Sequence, residues 1–171
     1  MTTDPTAKVS NLFRFGMRLE LPYDMDKTEF YGHGPIENYS DRCTSQNIGI
    51  YSQTADEQFF PYIRPQESGT KTGIRWWNQT NASGAGFRIV ADAPFSASAL
   101  HYSIADLDEG EAKQQRHSEQ VPKSQFTELC VDKVQTGVGG VDSWSRKAEA
   151  IKSYRVPYQD YTFTFWLIPL K

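Results

Sequence analysis

The sequence predicts an all-β fold: an antiparallel β-sandwich with one short helix. Three observations carry that expectation. Apolar and polar residues alternate at period two in segment after segment, the signature of strands with one buried face. Aromatic residues make up 13% of the chain, a composition that favours pleated sheets over helical bundles. Clusters of Gly, Pro, Asn and Asp separate the alternating segments and supply turns.

The elements follow in chain order. Residues 13–21 place Phe13, Phe15, Met17, Leu19 and Leu21 on one face of a strand. Shorter strands are expected over 28–32 and 73–79. Trp76 and Trp77 are adjacent and so face opposite sides, one toward the core and one toward the second face or an interface. After a turn at 81–84, strands are expected over 86–91 and again over 95–100. Residues 124–131 alternate once more, and residues 161–168 form the last strand. Only residues 103–113 suggest a helix, of two or three turns. Ser103 is placed to cap its start and Asp106 stands three positions on. Seven or more short strands and one helix in 171 residues fit a single sandwich domain spanning 12–171. Residues 1–11 form a polar leader expected to be disordered.

Composition narrows the function. The net charge is −3 and Lys and Arg are scattered, so nucleic acid is not an expected partner. The longest apolar run, residues 163–170, is strand-sized and interrupted by Thr164 and Pro169, too short for a membrane-spanning helix. Residues 1–10 lack the apolar segment of an export signal, which points to the cytoplasm. The sequons at Asn38, Asn78 and Asn81 are accordingly read as coincidental. Cys43 and Cys130 read as free or buried thiols, with a single bridge between them as the alternative. His33, His101 and His117 have no metal-ligand spacing, so no metal site is expected.

Three irregular stretches carry the chemistry. Residues 31–42 contain Glu37, Asn38, Asp41 and Arg42. Paired carboxylates there could act as acid and base. The alternative, which the sequence favours, is a buried ion-pair network that fixes the loop, with Arg42 held by Glu37 or Asp41. Residues 61–69 contain Arg64 and Glu67, read likewise as structural. Residues 137–144 are glycine-rich and end in Asp142, Ser143 and Trp144. By sequence alone Trp144 is either a plug over one end of the sandwich or a sugar-contacting ring.

Taken in order, these stretches read G-x-G-P-x-E-N-Y-x-D-R, P-Y-x-x-P-x-E-x-G and G-x-G-G-x-D-S-W. Together they closely resemble the C-terminal domain of the β-galactosidases of glycoside hydrolase family 2, and the likeness extends over about nine-tenths of the chain. The resemblance implies the later portion of a galactose-mutarotase-like sandwich. It implies that the catalytic carboxylates lie on a separate (β/α)8 barrel, that Trp144 stacks on the aglycone sugar, and that Asp142 and Ser143 shape its loop. It makes the remaining domains of such an enzyme the partner. Family members often use magnesium and sodium, and some hold sodium through backbone oxygens near this loop; no cofactor is assigned to this chain. Two positions depart from the pattern: Val141 stands where many relatives have an acid, and Arg64 where some have an apolar residue. A stand-alone carbohydrate-binding module is the alternative function, and a sugar epimerase of the same superfamily ranks last because no His–Glu pair is apparent. Strands missing from the parent sandwich would leave an open edge or apolar face, which predicts that the isolated chain covers it by self-association or by rearranged strand contacts.

Overall fold

The computed structural model describes residues 1–108, 116–142 and 145–171. The fold is all-β and antiparallel throughout, of the sandwich class. Nine strands are present among the described residues: β1 (Asn11–Leu12), β2 (Arg14–Pro22), β3 (Lys27–Gly34), β4 (Asn47–Thr54), β5 (Lys71–Thr80), β6 (Gly86–Leu100), β7 (Phe126–Gln135), β8 (Val156–Pro157) and β9 (Phe165–Leu170). Seven of them form one sheet in the order β4–β3–β5–β6–β7–β2, with β9 added beside β6, while β1 and β8 make a separate two-strand ribbon.

β6 organises the sheet. Its first half, residues 86–91, pairs with β9, and its second half, residues 96–100, pairs with β7. β5 runs along the other side of both halves, with register shifts around Ile74. The two strands expected over 86–91 and 95–100 are therefore one continuous strand. Asp92, Ala93 and Pro94, exposed in its middle, mark where its partner changes.

Both halves share one core. Phe30, Ile74, Trp77, Ile89, Phe95, Ala97, Ala99, Leu129 and Val131 are buried, with Met17, Leu19, Leu21, Tyr51, Phe163 and Phe165 packed against them. Burying each large apolar side chain contributes about 1.5–3 kcal/mol, so this cluster is the main source of stability. Trp77 lies in the core, stacked on Phe30 at 5.4 Å, while Trp76 faces the other side beneath the Arg88 guanidinium at 4.7 Å.

Several expectations need correction. Phe13 is not on the core face: it lies outside β2 and is 59% exposed. The final strand begins at Phe165, four residues later than expected, and β4 carried no clear sequence signal. Among the described residues there are two short α-helices rather than one. α1 (Ala55–Gln58) has a full capping box between Thr54 and Glu57, and α2 (Ile104–Leu107) is a single turn. Ser103 does cap α2, accepting from the Asp106 backbone N–H; residues 109–113 of the expected helix lie outside the described residues. Cys43 and Cys130 are both free thiols, not a bridge.

The leader is drawn along the segment that follows β8. The Met1 ammonium donates to the Tyr161 carbonyl at 2.8 Å, the Thr3 N–H to the Asp160 carboxylate at 2.7 Å, and the Asp4 N–H to the Tyr158 hydroxyl at 3.1 Å. Among the described residues no helix is long and apolar enough to cross a membrane.

Candidate functional site

The three motif stretches, scattered over 112 positions from Tyr31 to Asp142, meet at one end of the sheet. Glu37 is the hub. Its side chain is 3% exposed and accepts from the Gly69 backbone N–H at 2.6 Å, the Arg42 guanidinium at 2.6 Å, the Tyr39 hydroxyl at 3.4 Å and the Tyr62 hydroxyl. Arg42 also donates to Tyr62 at 2.7 Å and lies over the Tyr39 ring at 5.2 Å. A carboxylate with this many donors is fully satisfied and holds the first loop to the second.

Asn38 performs the same task one residue on. It is completely buried; its amide donates to the His33 and Ile36 carbonyls, each at 3.0 Å, and its oxygen accepts from the Thr72 N–H at 3.0 Å and the Thr72 hydroxyl. With both ends of the side chain engaged inside the fold, Asn38 has no accessible nitrogen for a glycan.

Asp41 does not hold Arg42. Its carboxylate reaches instead into the third stretch, accepting from the Val138 N–H at 3.2 Å and the Gly139 N–H at 2.8 Å. It therefore clamps the glycine loop to the first loop. Glycine is required at 137 by close approach, since a Cβ there would collide with the Asp41 carboxylate and the Tyr154 side chain. Gly137→Ala should release the clamp and lower stability by about 1–3 kcal/mol, and loss of slow hydrogen exchange at the Gly139 amide would report it. Unchanged exchange would show that the loop holds its place without Asp41.

Asp142 braces the next turn: its two oxygens accept from the Ser145 N–H at 2.8 Å and the Ser145 hydroxyl at 2.6 Å. Ser143 and Trp144 lie outside the described residues. Beside this loop opens a cleft of about 280 Å³, lined by Tyr39, Lys133, Gln135, Thr136, Tyr154 and Arg155 among others.

Glu67 belongs to a second, deeper cluster. It accepts from the Thr70 hydroxyl at 2.9 Å and lies 3.4 Å from Arg14 of β2, which is also 3.3 Å from Asp132 of β7. Those Arg14 contacts are at ion-pair distance without hydrogen-bond geometry. Burial raises the carboxyls of both Glu67 and Asp132, with Arg14 opposing it, and Asp132 is pushed up to about 7. Burial also pushes the neighbouring Cys130 thiol up to about 12, which leaves it unreactive. Lys71, 1% exposed, donates to the Gly69 carbonyl at 2.8 Å; burial lowers its ammonium to about 8, and the charge of Glu37 opposes that shift.

The motifs themselves contained Tyr62 and Gly69, two partners of Glu37 that were not singled out in the sequence. Arg14, Lys71 and Asp132 gave no signal, because a charged residue in an alternating strand normally faces water. Arg64 is exposed and takes no part in the network. His33, His101 and His117 are separately engaged, with the Thr72 hydroxyl, Asp56 and the Ile63 carbonyl respectively. Among the described residues no three His, Cys, Asp or Glu side chains converge as metal ligands.

The fold and the network define a class of domain: an antiparallel sheet that presents a glycine loop held by Asp41, with Glu37 tying the first motif stretch to the second. Comparison with known proteins gives the particular family. Residues 1–167 match the family described as Beta galactosidase small chain, and the chain belongs to that family. It is similar to a β-galactosidase of Priestia megaterium, 35% identical over 167 residues, which covers 97% of this chain and 16% of the relative. It is similar also to β-galactosidase BgaC of Bifidobacterium adolescentis, 36% identical over 146 residues (84% and 13%). A β-galactosidase of Vibrio cholerae is 33% identical over 151 residues (88% and 14%). The chain thus spans about a sixth or less of the length of these relatives.

Proposed function

We propose that this chain is a structural part of a glycoside hydrolase family 2 β-galactosidase that cleaves terminal β-D-galactosides, and that it lines the aglycone side of the active site through Trp144. The observation that carries the reading is the pair of carboxylates on the glycine loop. Asp41 grips it at Val138 and Gly139, and Asp142 closes the turn onto Ser145. These contacts brace the described residues of the loop that precede and follow Trp144 in the sequence, and an indole face suits the apolar C–H face of a sugar.

Retaining cleavage needs two carboxyl groups free to meet the glycosidic bond. Glu37 is wrapped by four donors and Asp41 is engaged with backbone N–H groups, so neither suits acid–base work. The proposal therefore puts both catalytic carboxylates in the remaining domains of the enzyme. It places the enzyme in the cytoplasm, acting in lactose catabolism.

The test is hydrolysis of nitrophenyl β-galactoside by the chain alone and with the rest of such an enzyme added. The expected result is no turnover alone and turnover on addition; turnover by the chain alone would overturn the assignment. In the assembled enzyme, Trp144→Ala should raise KM for substrates with a sugar aglycone about 10-fold, the loss of about 1.4 kcal/mol of stacking. It should leave kcat for a small leaving group nearly unchanged. Equal effects on both substrates would remove Trp144 from the aglycone site.

A further inference from the structure

β6 and β7 part company toward one end of the sheet, and a cleft opens in the fork. Their ladder ends at Ser96–Asp132, while β7 runs on to Gln135 and pairs there, among the described residues, with β2 alone. Phe15 pairs with Val134 and Gly16 with Asp132, so Lys133 is the extra residue of a β-bulge, a device that re-aims a side chain. The cleft of about 280 Å³ is bordered by this bulge on one side and by Tyr154 on another.

The charge of the cleft is one-sided. Among the described residues no Asp or Glu lines it, although the chain carries a net charge of −3. The buried carboxyls of Glu67 and Asp132 face Arg14 instead. Of the two cations in the lining, Arg155 is already tied to Glu149 at 2.9 Å and to the Ala150 carbonyl at 2.5 Å. Lys133 has no carboxylate partner among the described residues; its ammonium lies 5.9 Å from the Phe163 ring centre, at the limit of a cation–π contact. Ser40, Ser96 and Ser153 line the same cleft with hydroxyls that no described protein group engages. Gln135 adds to this surplus: its amide lies near Glu67, yet neither of its buried polar atoms is in hydrogen-bond geometry with a protein group.

We propose that this cleft binds a monosaccharide monophosphate, with the phosphoryl group on Lys133 and the serine hydroxyls and the sugar body against Tyr154. An ammonium without a carboxylate, beside unengaged hydroxyls, offers phosphoryl oxygens several donors, and charge-assisted bonds to an oxyanion are the strong kind. Space sets the size: ligand pockets run upward from about 300 Å³, so this one takes one sugar ring and its phosphate rather than a nucleotide or an oligosaccharide. Tyr154, 37% exposed, supplies a ring for the C–H face of the sugar. The proposal does not depend on the role given to Trp144. It does reach the glycine loop. The Thr136 hydroxyl and the Gly137 N–H both donate to the Tyr154 carbonyl, at 3.3 and 2.8 Å, and Ser40 adjoins Asp41, which clamps the loop from the other side. A ligand bridging Ser40, Lys133 and Tyr154 touches both supports and steadies the loop between them.

The experiment titrates the 171-residue chain with glucose 6-phosphate, glucose and inorganic phosphate at constant ionic strength and follows the backbone amide resonances. The expected result is saturable shifts at Ser40, Lys133 and Ser153 with glucose 6-phosphate, slower hydrogen exchange at the Gly139 amide on saturation, and binding of glucose and of inorganic phosphate weaker by about 10-fold or more. Lys133→Gln should weaken binding of the ester by about 10-fold and Lys133→Arg should restore most of it, both with the circular dichroism of the parent. Lys123→Gln, which removes a cation paired with Asp56 outside the cleft, should change nothing. Should Lys133→Gln not fold, the ranking of the three ligands on the parent chain decides by itself. Glucose binding as tightly as its phosphate ester, or an equal loss in Lys123→Gln, would overturn the assignment of the phosphoryl group to Lys133. Inorganic phosphate binding as tightly as the ester would overturn the sugar half of the site. No saturable shift with any of the three would overturn the proposal entirely.

Discussion

Replacing Glu37 by Ala is expected to destabilise the chain by about 3–5 kcal/mol, the largest effect of any single polar substitution in the site. The side chain is almost fully buried, and truncation strands the Gly69 N–H and the Tyr39 hydroxyl. It also deprives Arg42 of its carboxylate partner and buried Lys71 of the nearby negative charge. Removing one member of a buried, hydrogen-bonded charge cluster costs this much because the others remain desolvated without compensation. The contrast is Arg42→Ala. The Arg42 side chain is 50% exposed, so water replaces much of what is lost, and about 1 kcal/mol or less is expected. Urea midpoints of the two variants measure the difference, and equal shifts would mean that Glu37 is not the hub. Glu37→Gln, which keeps an acceptor but no charge, should fall between them and separate the hydrogen-bonding part from the ionic part.

Stability should fall as pH rises from about 4 to about 7. Burial pushes the Asp132 carboxyl up to about 7 from an ordinary value of 3.8, and in this window the folded chain keeps a proton that the unfolded chain has released. The state that binds more protons loses ground as pH rises, so the slope is negative; below the unfolded value and above 7 this group contributes no slope. Across the window the loss is up to about 4 kcal/mol, the net of burial and the opposing charge of Arg14. The groups facing Asp132 are Arg14 of β2, Glu67 of the loop before β5, and Cys130 on its own strand. Glu67 is raised by burial too and adds to the same slope. Asp132→Asn should flatten the dependence of the urea midpoint on pH between 4 and 7. A slope that persists unchanged in the variant would place the titrating group elsewhere.

The fold class was written in the alternation, because a half-buried strand needs one apolar face and the pattern records it locally. Met17, Leu19 and Leu21 pack on the core as their spacing requires. Phe30 and Trp77 stack there too, with Trp76 sent to the opposite face. The three motif stretches were legible as well, and the family they resemble is the one the chain belongs to.

Where local pattern and environment part company, the sequence misleads. β4 escaped notice because its isoleucines, Ile48 and Ile50, sit on an exposed face while Tyr51 packs inward, and Gly49 weakens the strand signal. β6 reads as two strands because Asp92 and Pro94 look like a turn. Pairing to β5 on both sides of them carries the strand through.

By itself, then, the sequence determined an all-β antiparallel domain, its main turns, and the loops in which its site residues lie. Tertiary structure alone decided the partners: Asp41 with the Val138 and Gly139 amides 97 and 98 positions away, Glu37 with Gly69, and Arg14 with both Glu67 and Asp132. The physical reason is that burial on one face is a local property, repeated every second residue. The partner of a buried charge is set by which distant backbone the folded sheet brings within about 3 Å, and no local period encodes that distance.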